Sequence, residues 1–348
     1  MKLKTPLLSI VFALTTNAAQ AYEWQALPDK APEPADNPTT PEKVELGRLL
    51  FMDPRFSETG TVSCNSCHNL MLGGDDNRAV SMGVHGKTGG RSAPTVWNSA
   101  FSSSQFWDGR AASLEDQAKG PVVNPVEMGM TDLEKAMNRV RSIPGYKPYF
   151  VEAFGADNPM TVDNAAKAVA AFERTMITPN SLYDRYVKGD KNAMDEQQQR
   201  GMKTFAEIGC TSCHSGPAFN GPAMAAGSGF FMKSPTFEDS EYVSRYELMK
   251  DKGRHEVTGK DSDKHLFKVP TLRNIALTAP YLHAGSVPTL NEAMKVMTKV
   301  QLNKDLNDAQ TADIVAFLNG LTGEFPEQAL PRLPATPGWT LIGSEKAK

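Results

Sequence analysis

The sequence predicts an all-α protein of two similar domains joined by long irregular loops. Three observations predict it. The chain has 348 residues, enough for two compact units. Apolar residues recur at helical spacing at matching places in each half, once before and once well after a short cysteine motif. Alternating strand patterns are few, and the repeat is too long and too few-fold for a solenoid. We divide the chain into a leader, residues 1–21, a first domain, 22–180, a second domain, 181–335, and a tail, 336–348. Hydrophobic residues at 40% and charged residues at 22% are ordinary for a soluble globular protein. A formal charge of −3 lacks the basic face of a nucleic-acid binder.

The leader opens with Lys2 and Lys4, continues with an apolar run from Pro6 to Thr16, and ends in small residues up to Ala21. That is the three-part pattern of a secretory signal peptide, with cleavage after Ala21. The run is too short to span a bilayer. No second long apolar run follows, so no membrane anchor is expected after cleavage. Loss of Lys2 and Lys4 takes the formal charge from −3 to −5. The export route implies the periplasm, where disulfides and chemistry that consumes thiols compete for the cysteines.

Residues 22–40 are rich in Pro, Ala and Asp and read as an extended arm. Thr40 then caps a helix with Pro41 at its first position, and Val44, Leu46, Leu49 and Leu50 form its stripe. A Gly-rich stretch, Gly73 to Gly90, reads as a mobile covering loop. Thr131 and Glu134 read as a capping box. The first half closes with a helix over Val162 to Met176, and a turn near Pro179 to Lys188 separates the halves. A helix from Asp195 to Phe205 opens the second half, Gly216 to Asp263 is irregular, and a helix over Asn307 to Leu321 closes it. The Pro-rich tail from Pro326 is expected to lie over the surface.

The four cysteines are Cys64, Cys67, Cys210 and Cys213, each pair followed at once by a histidine, His68 or His214. In a c-type haem two thioethers anchor the porphyrin edge and the adjacent His meets the iron. Zinc would not need a His after each pair, a thioredoxin-like dithiol expects one motif beside a βαβ unit, and disulfides leave both His unexplained. The motifs therefore point to two covalent haems, each in the helix–motif–helix layout of a small cytochrome c domain. His85, in the Gly-rich loop, is either a removable second ligand of the first haem or an exposed loop residue. Met294 and Met297 both sit where a small cytochrome places its axial methionine, and either is also a plausible core residue.

From Pro41 to Leu321 the chain resembles bacterial dihaem cytochrome c peroxidases. The resemblance is carried by the stretches beginning at Ala93 (APTV), Phe106 (FWDGR), Asn124 (NPVEM), Val269 (VPTLRN), Ala279 (APYLH) and Gly285 (GSV). It implies that His68 is the proximal ligand of a low-potential, peroxidatic haem and His85 its displaceable distal ligand. It implies that His214 and Met297 are the axial ligands of a high-potential, electron-accepting haem, leaving Met294 in the core. Trp107 would lie between the haems, and Gln117 and Glu127 would form the distal pair. Thr278 and Pro280 would offer backbone carbonyls to calcium, although Ser92 stands where the family usually has an Asn, and a Ser hydroxyl reaches less far. A homodimer is also implied.

The implied reaction is reduction of hydrogen peroxide to water in the periplasm, with electrons from a small cytochrome c or a cupredoxin. Glu127 suits proton transfer, because a carboxylate near a buried haem can have its pKa raised toward neutrality. Two rivals are a dihaem electron carrier, which has no use for Glu127 and Gln117, and a related dihaem oxidase acting on a protein partner. That oxidase branch carries Tyr in place of the axial Met, and Met297 argues against it.

Overall fold

The computed structural model describes residues 22–336, 338 and 340–342. The leader and most of the tail assigned above lie outside the described residues. Twelve α-helices are α1 (Pro41–Met52), α2 (Cys64–Cys67), α3 (Leu114–Val123), α4 (Leu133–Arg141), α5 (Tyr146–Phe154), α6 (Val162–Glu173), α7 (Leu182–Val187), α8 (Glu196–Ile208), α9 (Glu241–Arg245), α10 (His255–Thr258), α11 (Leu290–Leu302) and α12 (Asp308–Asn319). Two strands, β1 (Phe231–Lys233) and β2 (Leu266–Lys268), pair antiparallel. The fold is helix-rich with little sheet, as expected, but the stretch after Gly216 is less irregular than its composition suggests.

Local chemistry explains the helix limits. Thr40 caps α1 and Pro41 opens it, as read from sequence. Asp195 and Gln198 form a reciprocal capping box on α8, and Asn307 and Gln310 do so on α12. The start of α4 differs from the expectation. Asp132, not Thr131, is the N-cap and accepts from Lys135 N, while Thr131 only donates to Asp132. A carboxylate one residue closer to the helix outcompetes the hydroxyl, because its charge also suits the helix N-terminus.

Each half is built on one helix crossing made possible by a glycine. A Cβ on Gly47 of α1 would sit 2.0 Å from the Ala168 carbonyl oxygen and 2.9 Å from Phe172 Cβ of α6. A Cβ on Gly201 of α8 would sit 1.8 Å from the Asp313 carbonyl oxygen and 2.9 Å from Phe317 Cβ of α12. Around the first crossing gather Leu46, Leu50, Phe51, Trp97, Tyr146, Phe150 and Phe172. Around the second gather Tyr183, Phe205, Phe219, Ile314, Phe317 and Leu318.

The chain ends cross over between these cores. Trp24, in the arm, stacks edge-on against Tyr183 and Phe317 of the second core. Leu27 is buried and its N–H donates to Asp184. In return, the tail runs back over the first core. Arg48 and Arg55 donate to the carbonyls of Ala329 and Pro334, Phe325 meets Trp97 edge-on, and Leu341 is buried. The tail thus lies over the surface, as expected, and does so on the first half, where Leu341 is buried. Polarity and proline content show that a segment is extended, not which apolar groove receives it.

Candidate functional site: two cysteine–histidine turns and a shared seam

Both C-x-x-C-H segments fold as one turn. In the first, Ser63 precedes α2, its N–H donating to Ser66 Oγ, and His68 N donates to the Cys64 carbonyl at 2.9 Å. In the second, Gly209 adopts φ +107 and a 3-10 turn over Cys210–Ser212 follows, with His214 N again 2.9 Å from the Cys210 carbonyl. A single turn presents two sulfurs and an imidazole to one side. All four cysteines are free. Burial pushes the Cys64 thiol up to about 12, Cys67 to about 11 and Cys210 to about 12. A redox dithiol needs the opposite, an electropositive setting that lowers the thiol pKa.

The two imidazoles are held alike. His68 Nδ1 lies 3.0 Å from the Pro94 carbonyl, and His214 Nδ1 lies 2.9 Å from the Phe219 carbonyl. The carbonyls of Gly74 and Pro270 act on the same rings. Burial lowers the pKa of both, which favours neutral rings with Nδ1 as donor and Nε2 free for a metal.

Two separate stretches of the chain form one repeated device. Pro94-Thr95-Val96-Trp97-Asn98 and Pro270-Thr271-Leu272-Arg273-Asn274 fold identically. Each Thr hydroxyl accepts from the N–H two residues on, at 3.1 Å, and donates to a carbonyl beside the haem motif, Gly73 or Ala218. Each Asn is left-handed, φ +63 and φ +60. Both Asn side chains donate to Thr178 Oγ1, at 2.8 and 2.9 Å, at the boundary of the halves. The recurring P-T-x-x-N spacing was the available signal. Arg273 then adds what Trp97 cannot. It pairs with Asp184, both fully buried at 2.9 Å, and donates to the Pro217 carbonyl, bracing the segment that leads to Phe219 and His214.

A cavity, partly open to solvent, lies against the first turn. It is lined by Cys67, His68, Trp107, Gln117 and Glu127 among others, so five residues from four chain segments converge on it. Gln117 comes from α3, while Glu127 sits on the turn after it and accepts from Asn124 Nδ2 at 2.7 Å. Burial raises the Glu127 pKa, opposed by Arg110. Trp107 is pinned by its indole N–H to the Ser92 carbonyl at 2.9 Å and faces His283 edge-on. Three polar atoms on the cavity wall, Ser81 Oγ, Ser99 Oγ and Glu173 Oε2, are buried without a partner. The lining, the orphaned polar atoms and the donor set fit a c-type haem.

His85 is elsewhere. Its side chain is 51% exposed, does not line the cavity, and places Nε2 3.1 Å from Glu58 Oε2. The adjoining backbone explains how. Val84 N donates to the Glu127 carbonyl, and a Cβ on Gly83 would lie 2.2 Å from the Val126 carbonyl oxygen. The loop is therefore docked on the turn that carries Glu127. Met297 and Met294 share α11, but only Met294 packs against the second core.

The loop with Thr278 and Pro280 meets the first half through Asn77, which donates to the carbonyls of Leu277 and Ala279. The Ser92 hydroxyl donates to the Arg78 carbonyl at 3.5 Å, and Ser92 N to the His283 carbonyl. Among the described residues no three His, Cys, Asp or Glu side chains gather to hold a metal. Calcium here would rest on backbone oxygens and water. Two further residues went unread in the sequence. Glu173 lines the cavity, and Lys268, whose N–H donates to the Trp107 carbonyl, carries a buried amine lowered to about 8.

Residues 41–192 match the family model described as di-haem cytochrome c peroxidase, and residues 267–302 match one described as RoxA-like, cytochrome c-like. The chain is 44% identical over 303 residues to the cytochrome c551 peroxidase of Nitrosomonas europaea, covering 87% of this chain and 86% of that one. It is 40% identical over 340 residues to the cytochrome c551 peroxidase of Pseudomonas aeruginosa, covering 95% of both. Among solved structures it resembles a MauG-like protein associated with microbial copper homeostasis, at 31% identity and TM-score 0.74, over 87% of this chain and 96% of that one.

Proposed function

The chain belongs to the di-haem cytochrome c peroxidase family and is a peroxidase of that kind, and on that premise we propose how its residues divide the work. Two c-type haems attach at Cys64/Cys67 and Cys210/Cys213, with His68 and His214 as proximal ligands. The reaction is hydrogen peroxide plus two electrons and two protons giving two waters, in the periplasm. The convergence of His68, Gln117 and Glu127 on one cavity carries this reading.

When bound, the first haem supplies the iron at which the O–O bond of peroxide is reduced. The chain supplies the rest. Gln117 holds the peroxide by a hydrogen bond without titrating. Glu127 takes the proton from one peroxide oxygen and returns it to the other, a task its raised pKa suits. His85, parked on Glu58, leaves the cavity open, and as a removable ligand it would hold the first haem closed until the second is reduced. Trp107, between the two sites, carries electrons more easily than aliphatic packing would. Electrons would arrive singly from a small cytochrome c or a cupredoxin at the second haem, which His214 and Met297 would hold, the thioether raising its potential. Calcium on the carbonyls of Thr278 and Pro280 joins the halves, and the protein works as a homodimer.

The test is oxidation of a ferrous small cytochrome c by peroxide, using haem-loaded protein reduced by one electron and supplied with calcium. Fast turnover that Glu127→Gln abolishes is the expected result. Turnover indifferent to Glu127→Gln would return the chain to the electron-carrier reading.

A further inference from the structure

The two halves repeat one helix crossing, and the repeat isolates an exception. Phe172 packs on Gly47 as Phe317 packs on Gly201, so the residues that follow them occupy matching places. In the second half that residue is Leu318, fully buried. In the first it is Glu173, 5% exposed. The fold asks only for an apolar side chain there. Glu173 nevertheless lines the cavity that gathers His68, Gln117 and Glu127, its Oε2 has no hydrogen-bond partner, and no ion pair reaches it among the described residues. A buried carboxyl without a partner is costly, so its presence where leucine fits needs a reason.

The charges around it supply no hydrogen-bonded counter-ion: Arg174 favours its charged form and Glu115 opposes it, while Arg91 and Arg110 on the cavity wall are paired with Asp108. Arg174, the next residue, is turned to Glu115 of α3 at 2.6 Å, and Asn37 also donates to that carboxylate. Of the other elements packed on α6, α1 presents Lys43, which is spent on Asn37 and the Pro38 carbonyl. From α4 and α5 come Arg139, bonded to the Arg55 and Ser57 carbonyls, and Tyr146, bonded to Asp53. Cys64 of α2 feels the Glu173 charge, and it would cease to titrate as a thioether. Glu127, the other acid of the cavity, is held by Asn124. Burial keeps Glu173 a neutral acid, up to about 8.

We propose that Glu173 is the redox-linked proton site of the first haem: it binds one proton when the haem it faces gains one electron and releases it on oxidation. This rests on the first-haem reading above. The electron comes from the cytochrome or cupredoxin donor and the proton from water. The only bond made is the carboxyl O–H, and the net charge of the site is unchanged. At low pH Glu173 is protonated in both redox states and nothing is exchanged. Once pH passes its pKa in the oxidised state, reduction must draw a proton in, and the potential falls as pH rises.

The test is a spectropotentiometric titration of the haem-loaded full chain from about pH 6 to about pH 10, resolving both haems. Wild type is compared with Glu173→Gln and with Glu173→Leu, which Leu318 shows to be compatible with the crossing. In wild type the first haem's equilibrium constant is expected to fall by up to tenfold per pH unit, about 59 mV for one electron. Both variants should flatten that slope and leave the second haem unchanged. Redox-difference infrared spectra should show a carboxyl band that Glu173→Gln removes and Glu127→Gln retains. Superimposed wild-type and variant curves, with two haems present, overturn this inference alone. A wild-type chain that carries one haem, at Cys210 and Cys213, overturns the first-haem reading with it.

Discussion

The two cysteine–histidine turns differ less in themselves than in what surrounds them. Each presents an imidazole braced at Nδ1 by a backbone carbonyl, and each is backed by the same P-T-x-x-N loop and the same glycine crossing. Around the first, however, the wall includes Gln117, Glu127, Trp107 and Glu173, and the cavity is partly open. Around the second stand Tyr183, Phe205, Phe219 and Phe317, with Arg273 and Asp184 locking the loop. A turn that merely carries electrons needs rigid, apolar surroundings, whereas one that does proton chemistry needs room, acids and a movable neighbour. The two turns thus differ in their walls rather than in their C-x-x-C-H motifs.

The contrast is most sharply broken at Glu127. Glu127→Gln is expected to lower peroxide turnover by about 10²- to 10⁴-fold, while reduction of the second haem by a small cytochrome c is unaffected. Equal loss of both in stopped-flow traces would mean the halves are not divided in this way. The wild-type rate should rise with pH through the Glu127 pKa, because the base must be ionised to accept a proton, and burial moves that rise above the ordinary Glu range.

Arg273→Met leaves Asp184 buried without its partner. It should cost about 3–5 kcal/mol in chemical denaturation, felt first in the absorption of the second haem. The matching Trp97→Phe should be far milder and confined to the first. Gly47→Ala and Gly201→Ala each force a Cβ onto a facing carbonyl, and about 1–3 kcal/mol or more should be lost in either half. A large difference between them would deny that the crossings are equivalent.

The smallest effect is expected at the loop. His85 and Glu58 are about half exposed, so Glu58→Gln should change stability by no more than about 0.2–1 kcal/mol. It should still raise the share of the first haem that is bound by two histidines, read from its absorption spectrum. No change in that share would mean Glu58 does not hold His85 away.

Much of this was legible in the chain itself. The two motifs and the helices that precede and close each half follow from local spacing, and the residues that line the cavity come from the family resemblance. Helix periodicity and N-caps depend on residues three or four apart, so α1, α6, α8 and α12 emerged within a few residues of their ends. What depended on distant partners did not emerge. The arm sits on the second core and the tail on the first, because Trp24 and Leu341 fill grooves made by helices far along the chain. His85 rests on Glu58 rather than over the first site, because Gly83 and Val84 dock on the turn of Glu127. Glu173 reads as an ordinary polar residue at a helix end until the second half shows Leu318 in its place. Sequence alone determined which groups this protein can bring to bear on haem and peroxide. Tertiary packing decided which of them lie on the same wall, and burial there sets whether a carboxyl or an amine keeps its usual charge.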